Sequence, residues 1–196
     1  QTHAARVRGE IPDTLLLVEH APTITLGRAA KREHVLASTE QLAERGVALH
    51  EIGRGGDVTY HGPGQLVLYP ILDLKPDRCD VRRYVRALEE VMLQVAQSYG
   101  LTAHRVDGKT GAFCDQRKYG ALGVRISRWV TMHGIAINVN TALDGFSLIV
   151  PCGLPDTPVT SLSRELGREV ALSDATDSAI AQFAKVFDYA SVRLES

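Results

Sequence analysis

The sequence predicts an α+β fold, with a mixed/antiparallel sheet flanked by helices. Three observations carry this. Extended apolar runs come in groups between separate helical segments, without regular β-α alternation. One long stretch repeats apolar residues at intervals of three and four. Another consists of two extended runs joined by a short turn. At 196 residues the chain, 1–196, fits a single domain. Its 44% hydrophobic and 23% charged content is that of an ordinary globular protein.

The elements follow in order. Thr14–His20 is a mostly buried strand closed by Pro22, with a shorter run at Ile24–Leu26. Thr39–Arg45 forms a short helix that stops at Gly46, and Ala48–Ile52 is a strand. Leu66–Leu72 is another strand, in which Pro70 points to an edge or a strand end because it lacks an N–H. Val81–Tyr99 is the clearest helix: Val81, Tyr84, Val85, Leu88, Val91, Met92, Val95 and Tyr99 form one core-facing stripe. Asp80 suits its N-cap and Gly100 the C′ position. Lys118–Ser127 and Val130–Asn140 form a long hairpin turning at Arg128-Trp129. A last helix runs from Ser173 to Phe187, with Ala175, Ile180, Phe183, Ala184 and Phe187 inward. There is no internal repeat, linker or low-complexity tract. The first residue is Gln1 rather than Met, so a short N-terminal segment is expected to be missing.

A net charge of −1 gives no footprint for nucleic acid or an anionic membrane. The longest apolar runs are far too short to span a bilayer. Cys79, Cys114 and Cys152 are an odd set without close spacing, so neither a disulfide framework nor a C-x-x-C metal site is readable. Reduced thiols point to a cytoplasmic location. No His-x-His or His-Glu-x-x-His spacing suggests a metal.

Chemistry concentrates in three segments. The first, Arg54 to Gln65, packs four glycines, a proline, a histidine and an arginine into twelve residues between apolar runs. A loop so rich in Gly can expose N–H groups and admit a ligand close to the main chain. It lacks a terminal Gly-Lys-Ser/Thr and is not a phosphate loop. The second segment begins at Lys118 and continues into His133-Gly134. The third holds Cys152 between Pro151 and Gly153, where the glycine leaves an N–H open to a reacting carbonyl. On residues alone, Cys152 is either a nucleophile or a small buried hydrophobe, and Lys118 reads first as a solvated strand-edge lysine. Cys79 and Cys114 lack an activating context and read as bystanders.

Arg54-Gly55-Gly56-x-x-Thr59-Tyr60-His61-Gly62-Pro63-Gly64-Gln65, Lys118-Tyr119-Gly120-Ala121-Leu122-Gly123 with His133-Gly134, and Pro151-Cys152-Gly153-Leu154 with Val159-Thr160-Ser161-Leu162 match in kind, order and spacing the signatures of one family. From about Pro12 to the C-terminus the chain resembles the octanoyltransferases of lipoate biosynthesis, the LipB family. The resemblance implies the fold shared by biotin and lipoate protein ligases. It also implies that Cys152 holds the acyl group as a thioester, with Lys118 as its acid/base partner. Substrate-binding positions carried over are Arg54, Gly55, Gly56, Asp57, Val58, Thr59, Tyr60, His61, Ala121, Leu122, Gly123, Gly134, Ile135 and Ala136, with His133 supporting. Leu122 and Ile135 suit an aliphatic chain.

The implied partners are octanoyl-acyl-carrier protein, and the lipoyl domains of 2-oxoacid dehydrogenase E2 subunits and of the glycine cleavage H protein. No cofactor or metal is expected, since the acyl group arrives on the carrier's phosphopantetheine, and a monomer is expected. For docking the acidic carrier, Arg82, Arg83 and Arg86 are one basic patch. An ATP-dependent lipoate or biotin ligase on the same fold is the alternative, and it would need no Cys nucleophile. A non-catalytic acyl- or lipoyl-binding module, with Cys152 merely packed, is a second alternative. A cysteine hydrolase is a third, against which the lack of a Cys-His-Asn arrangement counts.

Overall fold

The structure, a computed structural model, describes residues 1–153 and 157–195; the side chain of Cys152 and residues Leu154, Pro155, Asp156 and Ser196 lie outside the described residues. The order is α1 (Thr2–Val7), β1 (Thr14–Val18), β2 (Thr23–Leu26), α2 (Thr39–Glu44), β3 (Ala48–Glu51), β4 (Val58–His61), β5 (Gln65–Ile71), α3 (Val81–Ser98), β6 (Ala112–Cys114), β7 (Arg117–Ser127), β8 (Val130–Asn138), α4 (Leu162–Leu166) and α5 (Leu172–Val186). The architecture is α+β as expected, but the strands divide into two sheets. An antiparallel sheet of five has the order β1-β5-β8-β7-β6, and a sheet of three has the order β3-β2-β4. The small sheet supplies the parallel pair, β2 with β3.

Local chemistry explains most boundaries. Ser38 caps α2 in a capping box with Gln41, and Asp80 caps α3 by accepting the Arg83 N–H. The β7–β8 hairpin turns through Arg128 and Trp129, both left-handed at φ 55° and 65°, which matches the twist of the flanking strands. Helix α4, unexpected from sequence, is capped by Ser161 and stopped by Gly167 at φ 64°.

Pro70 allowed an edge or a strand end, and the second holds: strand β5 is internal, between β1 and β8, with Pro70 as its penultimate residue. Its pairing with β8 runs only from Gln65↔Asn138 to Leu68↔Ile135, so Pro70 falls where that ladder has lapsed and no N–H is missed. Thr131 bridges the gap, its hydroxyl donating to Pro70 O and accepting from Leu72 N–H. In α3, Tyr84, Leu88, Val91, Met92 and Val95 are buried, whereas Val85 is half-buried on the wall of a cavity and Val81 is 47% exposed and packs into no core.

One core lies between the five-stranded sheet and helices α3 and α5, built on Leu66, Leu68, Leu88, Met92, Ile135, Ile137 and Phe183. A second joins the small sheet to α2 and to the turn at 143–148 through Ile24, Val58, Tyr60, Phe146 and Leu148. The site opens where the two meet. No helix among the described residues is long and apolar enough to cross a membrane.

Candidate active site

A cavity of about 410 Å³ is lined by the glycine-rich loop, the facing segments of β7 and β8, and part of β5. That volume lies in the range of small-ligand clefts, about 300–1,000 Å³. Of the residues singled out from sequence, Arg54, Gly55, Gly56, Asp57, Val58, Thr59, His61, Lys118, Ala121, Leu122, Gly123, His133, Gly134, Ile135 and Ala136 all line it. Tyr60 does not. Its ring packs edge-on against Phe146 at 5.5 Å, in the second core. The alternation of β4 explains the difference, since Thr59 and His61 point one way and Tyr60 the other.

The floor is made of cross-strand pairs Ala121↔Ala136, Leu122↔Ile135 and Gly123↔Gly134. Ile135 is 1% exposed and belongs to the helix-facing core, and Leu122 packs against that core. The small residues beside them occupy the opposite face of the sheet. The open apolar surface therefore comes from small side chains together with Val67 and Ile52.

The glycines of the loop are explained by close packing more than by open N–H groups. A methyl on Gly27 would sit 2.3 Å from Gly56 O, and one on Gly123 would sit 2.8 Å from Gly55 O. The Gly55 N–H donates to Val124 O at 2.9 Å, which docks the loop on the edge of β7. Arg54, 7% exposed, donates to Thr25 O, Thr25 Oγ1 and Gly55 O, so its guanidinium holds the loop to β2.

Lys118 is 5% exposed, overturning the solvated strand-edge reading. Its backbone N–H donates to Pro158 O and its C=O accepts from Thr160 N–H. The Nζ lies 5.3 Å over the Phe113 ring. A second, small pocket is bordered by Lys118, Thr59, Ala121, Ala136 and Pro151, so the lysine stands between the main cavity and the turn Pro151–Gly153. Structure thus brings Lys118 and the backbone around Cys152 together, 34 positions apart in sequence. The Gly153 N–H is not open to a substrate as expected; it donates to Val150 O at 3.1 Å within the turn. Cys114 is buried in β6, and burial foremost, then nearby Glu165, pushes its thiol up to about 11, which leaves it protonated and unreactive at pH 7.

Imidazoles form part of the wall. Burial foremost, helped by His20 and Arg54, pushes His61 down to about 4 against the opposing hydrogen bond to Gln65. Burial likewise lowers His133, which sits in β8 with a left-handed φ of 59° and turns its ring edge-on to Tyr69. Strained backbone of this kind in a non-glycine residue is typical of sites rather than scaffolds. Sequence reading missed His34, whose Nδ1 is 2.6 Å from Asp57 Oδ2, and missed Thr25 and Asn138 behind His61. Lys109, also on the cavity wall, donates to Thr157 Oγ1 at 2.7 Å. None of these stands in a motif-like run, so only spatial proximity reveals them. Among the described residues no group of His, Cys, Asp or Glu could hold a metal ion.

Two sheets meeting over a glycine-rich loop give an α+β fold shared with lipoate-protein ligases. The chain superimposes on lipoate-protein ligase A bound with ATP at a TM-score of 0.79, covering 95% of this chain and 78% of that one at 18% identity, a likeness of fold. The chain belongs to the family of the lipoyl protein ligase A/B catalytic domain, whose model matches residues 1–184. It is 53% identical over 190 residues to an octanoyltransferase of Chloroflexus aurantiacus, covering 95% of this chain and 85% of that protein. It is 51% identical over 190 residues to an octanoyltransferase of Myxococcus xanthus. That match covers 94% of this chain, which spans about half, 53%, of the Myxococcus protein.

Proposed function

We propose that this chain is an octanoyltransferase, moving an octanoyl group from the phosphopantetheine thioester of acyl-carrier protein to a lysine ε-amine of a lipoyl domain through a thioester at Cys152. The observation that carries the reading is the convergence of the glycine-rich loop, Lys118 and the Pro151–Gly153 turn on adjoining cavities, in a chain about half identical to octanoyltransferases.

In the first half-reaction the Cys152 thiolate attacks the thioester carbonyl. The new C–S bond forms, the bond to the pantetheine sulfur breaks, and that sulfur takes a proton from the Lys118 ammonium. In the second, the acceptor amine attacks the acyl-enzyme, Cys152 leaves as thiolate, and neutral Lys118 takes the amine proton. One thiol ionises at ~8.5, so only about 3% is thiolate at pH 7 without a neighbouring cation. An ammonium close to the turn raises that fraction. His61, neutral at pH 7, is unsuited to shuttle the proton and falls to substrate orientation.

The reaction needs no metal or redox cofactor. The acceptors are lipoyl domains of 2-oxoacid dehydrogenase E2 subunits and the glycine cleavage H protein, and the reaction belongs in the cytoplasm. The test is intact mass after incubation with octanoyl-acyl-carrier protein without ATP. A single octanoyl adduct, removed by hydroxylamine and absent in Cys152→Ala, supports the acyl-enzyme. Acylation only with ATP and free octanoate would replace this reading with a ligase.

A further inference from the structure

We infer that Gln65 and Asn138 are positioning residues that hold His61 in the Nδ1–H tautomer, with Nε2 as a neutral acceptor in the cavity wall. The inference follows from donor and acceptor counting along one buried chain. His61, Gln65, Asn138, Thr160 and Thr25 are 8%, 2%, 5%, 0% and 7% exposed, so each must find its partners inside the protein.

The chain is fixed at one end by main-chain oxygens, which can only accept. Asn138 Nδ2 donates to Thr160 O at 2.9 Å, which turns Asn138 Oδ1 toward Gln65. Gln65 Nε2 donates to Asn138 Oδ1 at 2.8 Å and to Tyr60 O at 3.2 Å. Flipping either amide would set two oxygens against each other. Gln65 Oε1 therefore faces His61 Nδ1, at 2.7 Å, and that nitrogen must carry the proton. The other nitrogen, Nε2, is 3.5 Å from Thr25 Oγ1, whose oxygen already accepts from Arg54 Nη2 at 2.9 Å and whose own proton is left to give. Arg54 nearby and the His20 ring at 5.7 Å both oppose a charge on His61, while Asp57 and Lys118 line other parts of the same cavity.

The same chain reaches the other wall. Thr160, whose C=O anchors Asn138, donates its N–H to Lys118 O, and its hydroxyl donates to Glu165, which Arg117 holds with two bonds. The loop that faces the acyl group and the strand that carries the lysine are thus held by one run of satisfied polar groups spanning both sheets. An uncharged imidazole also keeps the wall compatible with an aliphatic chain. This last consequence rests on the acyl-transfer reading; the tautomer does not.

The experiment is nitrogen-15 NMR of the histidine rings in the full chain without substrate, with the His61 signals identified by their loss in His61→Gln. At pH 7 the wild type is expected to show a protonated Nδ1 and a bare Nε2, unchanged down to pH 5. In Gln65→Leu no acceptor faces Nδ1, so the tautomer preference is expected to be lost and a substantial share of the rings to carry the proton on Nε2 at pH 7. A wild-type ring protonated at Nε2, or at both nitrogens at pH 7, overturns the inference without any variant. So does a folded Gln65→Leu protein that keeps the wild-type ring signature. Failure of octanoyl loading in the wild type, with the expected ring signature intact, would instead strike the proposed function alone.

Discussion

Replacing Gly123 by Ala should damage loading more than folding. The added methyl would lie 2.8 Å from both Arg54 Cδ and Gly55 O. Ordinary carbon contacts begin near 3.5 Å, so the loop must retreat by about 0.7 Å. Gly55 O is backbone, and Arg54 is fixed by three donated hydrogen bonds, so neither can turn aside. Overpacking of this kind costs about 1–3 kcal/mol. Loss of the Gly55 N–H bond to Val124 O adds about 0.5–1.5 kcal/mol. A combined cost of about 2–4 kcal/mol lowers Tm by about 5–15 °C in a domain of this size. A loop displaced by most of an ångström should slow octanoyl loading by about 10–100-fold, because reacting groups tolerate little misplacement. Gly46→Ala is the control: its methyl meets nothing within 4 Å, and only the left-handed φ of +63° opposes it, at about 1–2 kcal/mol. The assay pairs thermal unfolding with timed intact-mass loading from octanoyl-acyl-carrier protein. Wild-type loading by Gly123→Ala, or a Tm no lower than that of Gly46→Ala, would refute the close-packing account of the loop.

Three other outcomes are expected. Lys118→Arg keeps a cation but gives up an amine able to release and regain its proton, so acyl-enzyme should form slowly and transfer to a lipoyl domain should fall by about 10²-fold or more; full turnover would remove the acid/base role. Gly153→Ala meets both a φ of +66° and Asp57 Oδ2 at 2.5 Å, an oxygen pinned by His34, and thiol alkylation at Cys152 should slow while the circular dichroism stays unchanged. His61 binds fewer protons folded than unfolded between its depressed value of about 4 and the ordinary 6.5, so stability rises with pH through that window and is lost on acidification. Urea unfolding at pH 7 and pH 4 should differ by about 3 kcal/mol more in the wild type than in His61→Gln, and equal differences would show that burial does not depress this imidazole.

What the sequence disclosed of this fold depended on how local the cause was. Capping at Ser38 and Asp80, the stripe from Tyr84 to Val95 and the two-residue turn at Arg128-Trp129 act within a few residues, and each element appears within one or two positions of expectation. The division into two sheets was not legible, because it turns on β2 pairing with β3 and β4 rather than with β1, a choice made by tertiary packing. Pro70 left edge and strand end open for a related reason: its missing N–H matters only if the neighbouring strand is paired at that point, and there β8 is not. Within the site, motif residues arrived at one cavity, but their side chains divided by strand parity, with Tyr60 and Ile135 turned into cores.

The glycine-rich loop shows why a motif can be read for the right place and the wrong reason. Its glycines invite the interpretation of a backbone cradle whose N–H groups await a ligand, yet Gly55 donates to Val124, and Gly27 against Gly56 and Gly123 against Gly55 lie closer than a side chain on Gly27 or Gly123 would allow. What absent side chains provide is the approach of the loop to β2 and β7 across the junction of two sheets. That approach carries Arg54 to Thr25 and His61 to Gln65, and so sets the polar chain that ends at the strand of Lys118. A ligand-binding loop and a close-packed loop predict opposite effects for a single methyl at Gly123. Under the first, added bulk toward the protein leaves the N–H groups in place and binding survives. Under the second, the wall itself moves, and the histidine and lysine lose their common frame together.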